Sequence, residues 1–348
     1  MLLLLACAHP QLAETPPESL GIPSSSRYVL RGGRLPGGAT IDLAIDQGKI
    51  VAVGAVEEGG EEVDLQGRWV VPAFIDSHVH LAYRPADLSA GGVAAAVDLA
   101  APLDFFAEDL APLRLLRSGP MVTAQGGYPT QSWGRNGYGR EGADAAAARG
   151  AVGELVAAGA DLIKLPITGE PQLGEEALRA AVEEAHLRGG KVVSHALGDV
   201  EAALAATVGV DALAHTPVET LDSRTVESWS KAAVITTLNA FGGRSSTLDN
   251  LRRLHQAGAN LLYGTDFGNT TTAGIDLQEI LYLHDAGMSG ADILAAGTST
   301  PAAYWGLSEL GSLEVGKAAS LLVLSADPTQ KPEVLATPLV VIIDGKPR

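Results

Sequence analysis

Four histidines, one lysine and one aspartate stand where they could do metal chemistry. Asp76-Ser77-His78-Val79-His80 closes a short apolar run. Side chains alternate along extended backbone, so His78 and His80, two residues apart, point the same way and can share one cation. Lys164 lies inside the strongly apolar run DLIKLPI, His195 near the end of KVVSHAL, His215 at the end of VDALAH and Asp266 at the end of NLLYGTD. Imidazole and carboxylate suit Zn²⁺ and similar divalent ions. The single cysteine, Cys7, can build neither a Cys-based zinc site nor an internal disulfide. Any metal therefore falls to His, Asp, Glu or a modified Lys.

These residues need elements that bring them together. Residues 28–71 read as short strands with turns: YVLRGGRL, IDLAID, KIVAVGAV and RWVVP. From Pro72 to about Gly306 the pattern changes to short apolar runs alternating with amphipathic stretches. The runs are 73–76, 93–100, 121–125, 161–167, 191–197, 210–215, 233–240 and 260–266. GEEALRAAVEEAHLRG sets Leu178, Ala181, Val182 and Ala185 on one helical face. Eight strand–helix units predict a parallel α/β fold, a (β/α)₈ TIM barrel, whose strand ends converge on one face. Strand patterns return in SLLVLSAD and PLVVIIDGK. The two ends are expected to meet as a small β-sandwich. The expected organisation is a tether over 1–27, sandwich over 28–71 and 307–348, and barrel over 72–306.

In this order the motifs resemble the metal-dependent amidohydrolase superfamily. VVPAFIDSHVHL resembles its first-strand signature, and ADLIKLPITGE resembles the branch with a carboxylated bridging lysine. SHALGD, ALAHTP and YGTDFG resemble its fifth-, sixth- and eighth-strand motifs, and TSTPAAYWGL with GSLEVGKAASLLVL the return from barrel to sandwich. The similarity runs from about residue 28 to 348 and leans towards the imidazolonepropionase-like and prolidase-like branch. The resemblance implies two Zn²⁺ or other divalent ions per chain. His78, His80 and Asp266 would hold one, His195 and His215 the other. Lys164, as a CO₂-derived carbamate, would bridge them. It further implies cleavage of a C–N bond in an amide, dipeptide-like or cyclic amide substrate through a metal-bridging hydroxide, with Asp266 as acid and base. Rival readings are a mononuclear deaminase or imidazolonepropionase-like hydrolase with Lys164 silent, and a non-catalytic barrel. Lys164 could instead be a wall lysine whose head reaches solvent, and His215 a core histidine. Asp76 reads as a support rather than a ligand, and His186, His255 and His284 as helix-surface or packing residues.

Specificity in such barrels lies in the loops. Prolidase-like relatives take substrates with a free carboxylate, which calls for a cationic or hydroxyl-bearing clamp. The candidates are Tyr128, Arg84, Arg135, Arg140 and Arg244. Tyr128 stands where relatives often carry histidine. The composition agrees with an enzyme of small molecules. It is 46% hydrophobic and 19% charged, enough for a sizeable core, and a net charge of −17 disfavours nucleic acid as a partner. Leu4-Leu5-Ala6-Cys7 resembles a lipobox, and the following stretch is rich in Pro, Ser and Glu. The expectation is an exported, lipid-anchored protein facing the periplasm or cell exterior, cytoplasmic if Cys7 is not lipidated. The short chain between His80 and Lys164 leaves room for a homo-oligomer in which a neighbour covers the cleft.

Overall fold

The computed structural model describes residues 20–57 and 60–348. The lipobox-like Leu4–Cys7 and most of the expected tether lie outside them. No helix among the described residues is long and apolar enough to cross a membrane.

The two ends of the chain do meet. Hydrogen bonds join Lys346–Pro347, Val340–Ile343, Leu321–Leu324, Trp69–Pro72, Arg27–Arg34, Thr40–Asp46 and Lys49–Val53 in that order, and Glu61–Asp64 also pairs with Arg27–Arg34. They form one connected eight-stranded sheet rather than two separate sheets. Trp69–Pro72 and Leu321–Leu324 pair antiparallel, with Val71 opposite Leu322. Successive side chains there serve different cores. Val70, Leu321 and Val323 enter the terminal core with Tyr28, Leu43 and Ile45. Val71, Leu322 and Leu324 enter the large core. Burial on both faces is why SLLVL reads as a continuous apolar run.

Each of the eight apolar runs carries a strand: Phe74–Val79, Val93–Asp98, Met121–Ala124, Leu162–Pro166, Lys191–His195, Ala212–Leu213, Ala233–Ile235 and Asn260–Leu262. The architecture is TIM-barrel-like α/β, but the hydrogen bonds do not draw the expected closed cylinder. One parallel sheet holds Phe74–Val79, Val93–Asp98 and Arg114–Arg117, and another holds the last five strands. The third strand is broken at Ser118-Gly119-Pro120, where Gly119 takes φ +66° and Pro120 has no N–H to donate. Beyond the break, Met121–Ala124 pairs with Gly139–Gly142 instead. The seam between last and first strands is laced by Ser77 N–H to Tyr263 O at 2.8 Å and Asp266 N–H to His78 O at 2.9 Å.

The strict strand–helix alternation also fails early. Between His80 and Ala145 the helical elements among the described residues are the 3-10 turns Ser89–Gly91 and Leu103–Ala107 alone. Prolines at 85, 102, 112, 120 and 129 explain this, since each removes a donor and restricts its predecessor. A cavity of about 600 Å³ lined by Leu81, Leu88, Phe105, Leu110 and Leu113 lies beside these segments, and no histidine lines it. Later helices follow expectation. In Glu175–Leu187 the face of Leu178, Ala181, Val182 and Ala185 is buried.

Period two explains how the strands aim the site. Leu162, Val193, Ala212, Ala214, Ala233, Ile235 and Leu262 pack together as one apolar cluster between the strands. Two residues further along the same faces come Lys164 and His195. Ile163 and Leu165, on the opposite face of that strand, join the core shared with the helices.

Candidate metal centre

His78, His80 and Asp266 converge, with ligand atoms all within 4.8 Å of one another. His78 Nε2 lies 3.1 Å from His80 Nε2. Asp266 Oδ1 lies 3.4 Å from the first and 3.2 Å from the second. A divalent ion with bonds of about 2.0–2.2 Å to each atom spans a triangle of this size. His78 Nδ1–H donates to the Ala214 carbonyl at 2.8 Å, which leaves the Nε2 lone pair facing the cluster.

A second pair stands beside the first. His195 Nδ1 faces His215 Nε2 at 3.0 Å, and His215 Nδ1 meets Thr237 Oγ1 at 2.9 Å. The His78 and His215 rings are 4.6 Å apart, so the two pairs share one chamber. Lys164 is fully buried, which excludes a head reaching solvent. Its Nζ meets no hydrogen-bond partner among the described residues.

Electrostatics keeps the donors in ligand form. Burial holds His78 and His215 well below the usual imidazole range and pushes His195 down to about 3. Burial lowers Lys164 to about 7, against a small opposing pull from Asp266. Burial alone would raise Asp266, but His78, His80 and Asn269 outweigh it and hold it at about 2. At neutral pH the three perturbed imidazoles are Lewis bases and Asp266 an anion, the protonation states that metal binding requires. Converging lone pairs and an orphaned buried amine fit a divalent-metal centre.

Supporting residues fix these ligands. Asp76 Oδ1 accepts from His78 N–H at 3.0 Å and Thr265 N–H at 3.1 Å, and its Oδ2 accepts from Thr265 Oγ1–H at 2.5 Å. One buried carboxylate thus ties the strand of His78 to the residue before Asp266, the support expected of it. The glycines of YGTDFG answer to close packing. A Cβ on Gly264 would lie 3.2 Å from His78 Cβ, and one on Gly268 would lie 2.8 Å from His80 Cβ. Asp266 itself takes φ +54°, a left-handed conformation that Asp tolerates better than most residues.

The proposed substrate clamps scatter. Tyr128 stacks on His195 at 5.1 Å, and its hydroxyl accepts from Trp133 Nε1–H at 2.9 Å. Arg84 is exposed at the rim, with Nε donating to Gly268 O at 3.3 Å. Arg135 is exposed and donates to Gln131 O. Arg140 pairs with Glu154 on the neighbouring helix. Arg244 is exposed at the start of helix Ser245–Ala257. His186 and His255 pair with Asp211 and Asp292, and His284 is exposed on its helix. Sequence reasoning missed Thr237 and Trp133. A spacing argument cannot find the first. The second stands between Tyr128 and Arg135 in sequence, and only loop geometry brings it against His80.

Thr237 is unusual for a β-branched residue, with φ +44° while wholly buried. Glu279 braces this kink by accepting from Asn239 N–H at 2.7 Å. Such strain persists where the surroundings over-determine it, and here it aims the hydroxyl at His215. Thr237→Val keeps the shape and loses the hydroxyl. It is expected to weaken metal binding about 10–100-fold, with Thr237→Ser close to the parent. Competition with a chromophoric chelator measures both, and an unchanged affinity in the valine variant would remove the hydroxyl from the site.

The fold and site define a TIM-barrel-like α/β protein with a histidine–aspartate cluster at its strand ends. The amidohydrolase family model matches residues 69–348, and the chain belongs to that family, which places it among hydrolases. An uncharacterised protein of Mycobacterium bovis is 25% identical over 92% of this chain and 95% of its own length. A crystal structure of a Xaa-Pro dipeptidase with methionine in its active site superimposes with a TM-score of 0.79 at 21% identity, over 93% of this chain and 100% of that one. A molinate hydrolase structure superimposes with a TM-score of 0.74 at 18% identity, over 93% of this chain and 97% of that one.

Proposed function

We propose that the protein is a binuclear metal hydrolase of amide-type C–N bonds, with dipeptide-like, N-acyl or cyclic amides as substrates. The observation that carries this reading is the convergence of buried imidazoles on Asp266 beside a buried amine with no partner among the described residues. His78, His80 and Asp266 would hold one ion and His195 and His215 the other, with Zn²⁺ suiting the donor set. Lys164, whose burial favours the neutral amine, would take up CO₂ with loss of a proton and serve both ions as a carbamate. Bound there, the ions supply Lewis acidity and lower the pKa of water.

The remaining steps belong to the chain. Asp266, anionic throughout the neutral range, accepts a proton from the attacking water and passes it to the leaving nitrogen. Burial raises Tyr128 above the usual phenol range, so it stays protonated. Its oxygen accepts from Trp133, which frees its own O–H to donate to the substrate carbonyl. The terminal segments, 28–71 and 307–348, form a small domain beside the barrel and lie outside the chemistry.

A mononuclear enzyme is the second reading. Its support is that His78, His80 and Asp266 form a three-ligand set without help from Lys164.

Metal-reconstituted protein screened against dipeptides, N-acyl amino acids and lactams tests the activity. Turnover should vanish on chelation and return with added Zn²⁺. Turnover that survives complete metal removal would sink the reading.

A further inference from the structure

We infer that the substrate group flanking the scissile bond is an uncharged aromatic or cyclic apolar group, held by rings rather than by a cationic clamp. This rests on the metal-hydrolase reading above. Rings stand against three of the four imidazoles. Trp133 lies 5.2 Å from His80, Tyr128 stacks on His195 at 5.1 Å and 30°, and Phe241 lies edge-on to His215 at 5.1 Å. Trp133 is the hub. It also meets Tyr83 at 5.6 Å, Tyr138 at 5.2 Å and Tyr128 at 6.2 Å.

The one polar atom of Trp133 is already engaged by the Tyr128 hydroxyl. The rest of its half-buried surface offers only apolar contact. Tyr83 is 46% exposed and meets Trp133 edge-on, which leaves its ring accessible to a bound group. Packing of this kind recognises flat apolar groups by area and by edge-to-face contact.

Two of the four candidate arginines are engaged elsewhere. Arg140 is tied to Glu154, Arg135 turns to Gln131 O, and Arg244 is exposed at a helix start. Arg84 and Arg244 stay exposed to water, where a single ion pair is worth little. Lys164 is sealed in the interior. Beyond the scissile bond, a substrate carboxylate would find no buried guanidinium among the described residues to receive it.

Two hydroxamic acids test this without knowledge of the natural substrate. Both offer the same chelating group, one with a phenyl ring (benzohydroxamic acid) and one with a carboxylate (succinohydroxamic acid). Calorimetry on the metal-loaded protein should show the phenyl compound binding about tenfold tighter, the scale of one or two ring contacts. Trp133→Ala and Tyr83→Ala should each erode that preference, and Arg84→Ala should leave it intact. Tyr83 is half exposed, so its variant stays informative if Trp133→Ala fails to fold. Equal or tighter binding of the carboxylate compound, or a preference untouched by Tyr83→Ala, would overturn the inference and leave the hydrolase reading standing. Protein that retains no metal after reconstitution would overturn both.

Discussion

Asp266→Asn should lower turnover by about 10²–10⁴-fold while leaving the fold intact. The choice of asparagine follows from local geometry. Asp266 takes φ +54°, which Asn tolerates and most residues do not. Its three polar contacts converge on Oδ1: His78 Nε2 at 3.4 Å, His80 Nε2 at 3.2 Å and Asn269 Nδ2–H at 3.0 Å. An amide oxygen can keep all three in place. What asparagine cannot keep is the negative charge or the ability to take up a proton. The loss should therefore appear in kcat and in metal affinity, with a near-parental melting temperature. Steady-state kinetics beside a thermal melt separates these. A variant that turns over like the parent would take Asp266 out of the chemistry.

Lys164→Met should act through the metals and, in the metal-free chain, through stability of the opposite sign. Lys164 is wholly buried with its ammonium unpartnered, and burial brings it from 10.5 down to about 7. Its folded value lies below its unfolded one, so the folded chain favours the neutral amine. The cost of burying the charge is full and constant below about pH 7, and it fades as pH rises towards 10.5. Methionine fills similar space without that cost. Metal-free Lys164→Met should resist urea better than the parent at pH 6, with the advantage shrinking by pH 9. With metal present the order should reverse, because the parent gains a bridging ligand that the variant lacks. ¹³C-bicarbonate should give a carbamate resonance in the parent, growing as pH rises through about 7, and none in the variant. A variant with parental activity and no change in the resonance would remove Lys164 from the centre.

Much of this centre was legible in the sequence because strand periodicity is strict. His78 and His80 share a side at spacing two, and each of eight apolar runs proved to carry a strand. The family resemblance supplied the order of ligands along the chain. Other features depend on loop geometry, which spacing does not encode. The break at Gly119-Pro120 splits the third strand, and prolines between His80 and Ala145 replace expected helices by turns. Thr237 reaches His215 only through a left-handed backbone kink. The arginines were chosen by proximity in sequence to Tyr128 and the ligands, yet Arg140 spends its charge on Glu154 from a helix that begins only at Ala145. Two ends of a chain meeting in one sheet could be expected from their strand patterns. Their joining into a single hydrogen-bonded path could not.

The central claim is a centre of two ions held by His78, His80, Lys164, His195, His215 and Asp266. Elemental analysis of the reconstituted, exhaustively desalted protein counts the ions directly. Two per chain is the predicted result. One per chain would hand the site to the mononuclear reading, and none would contradict the account altogether.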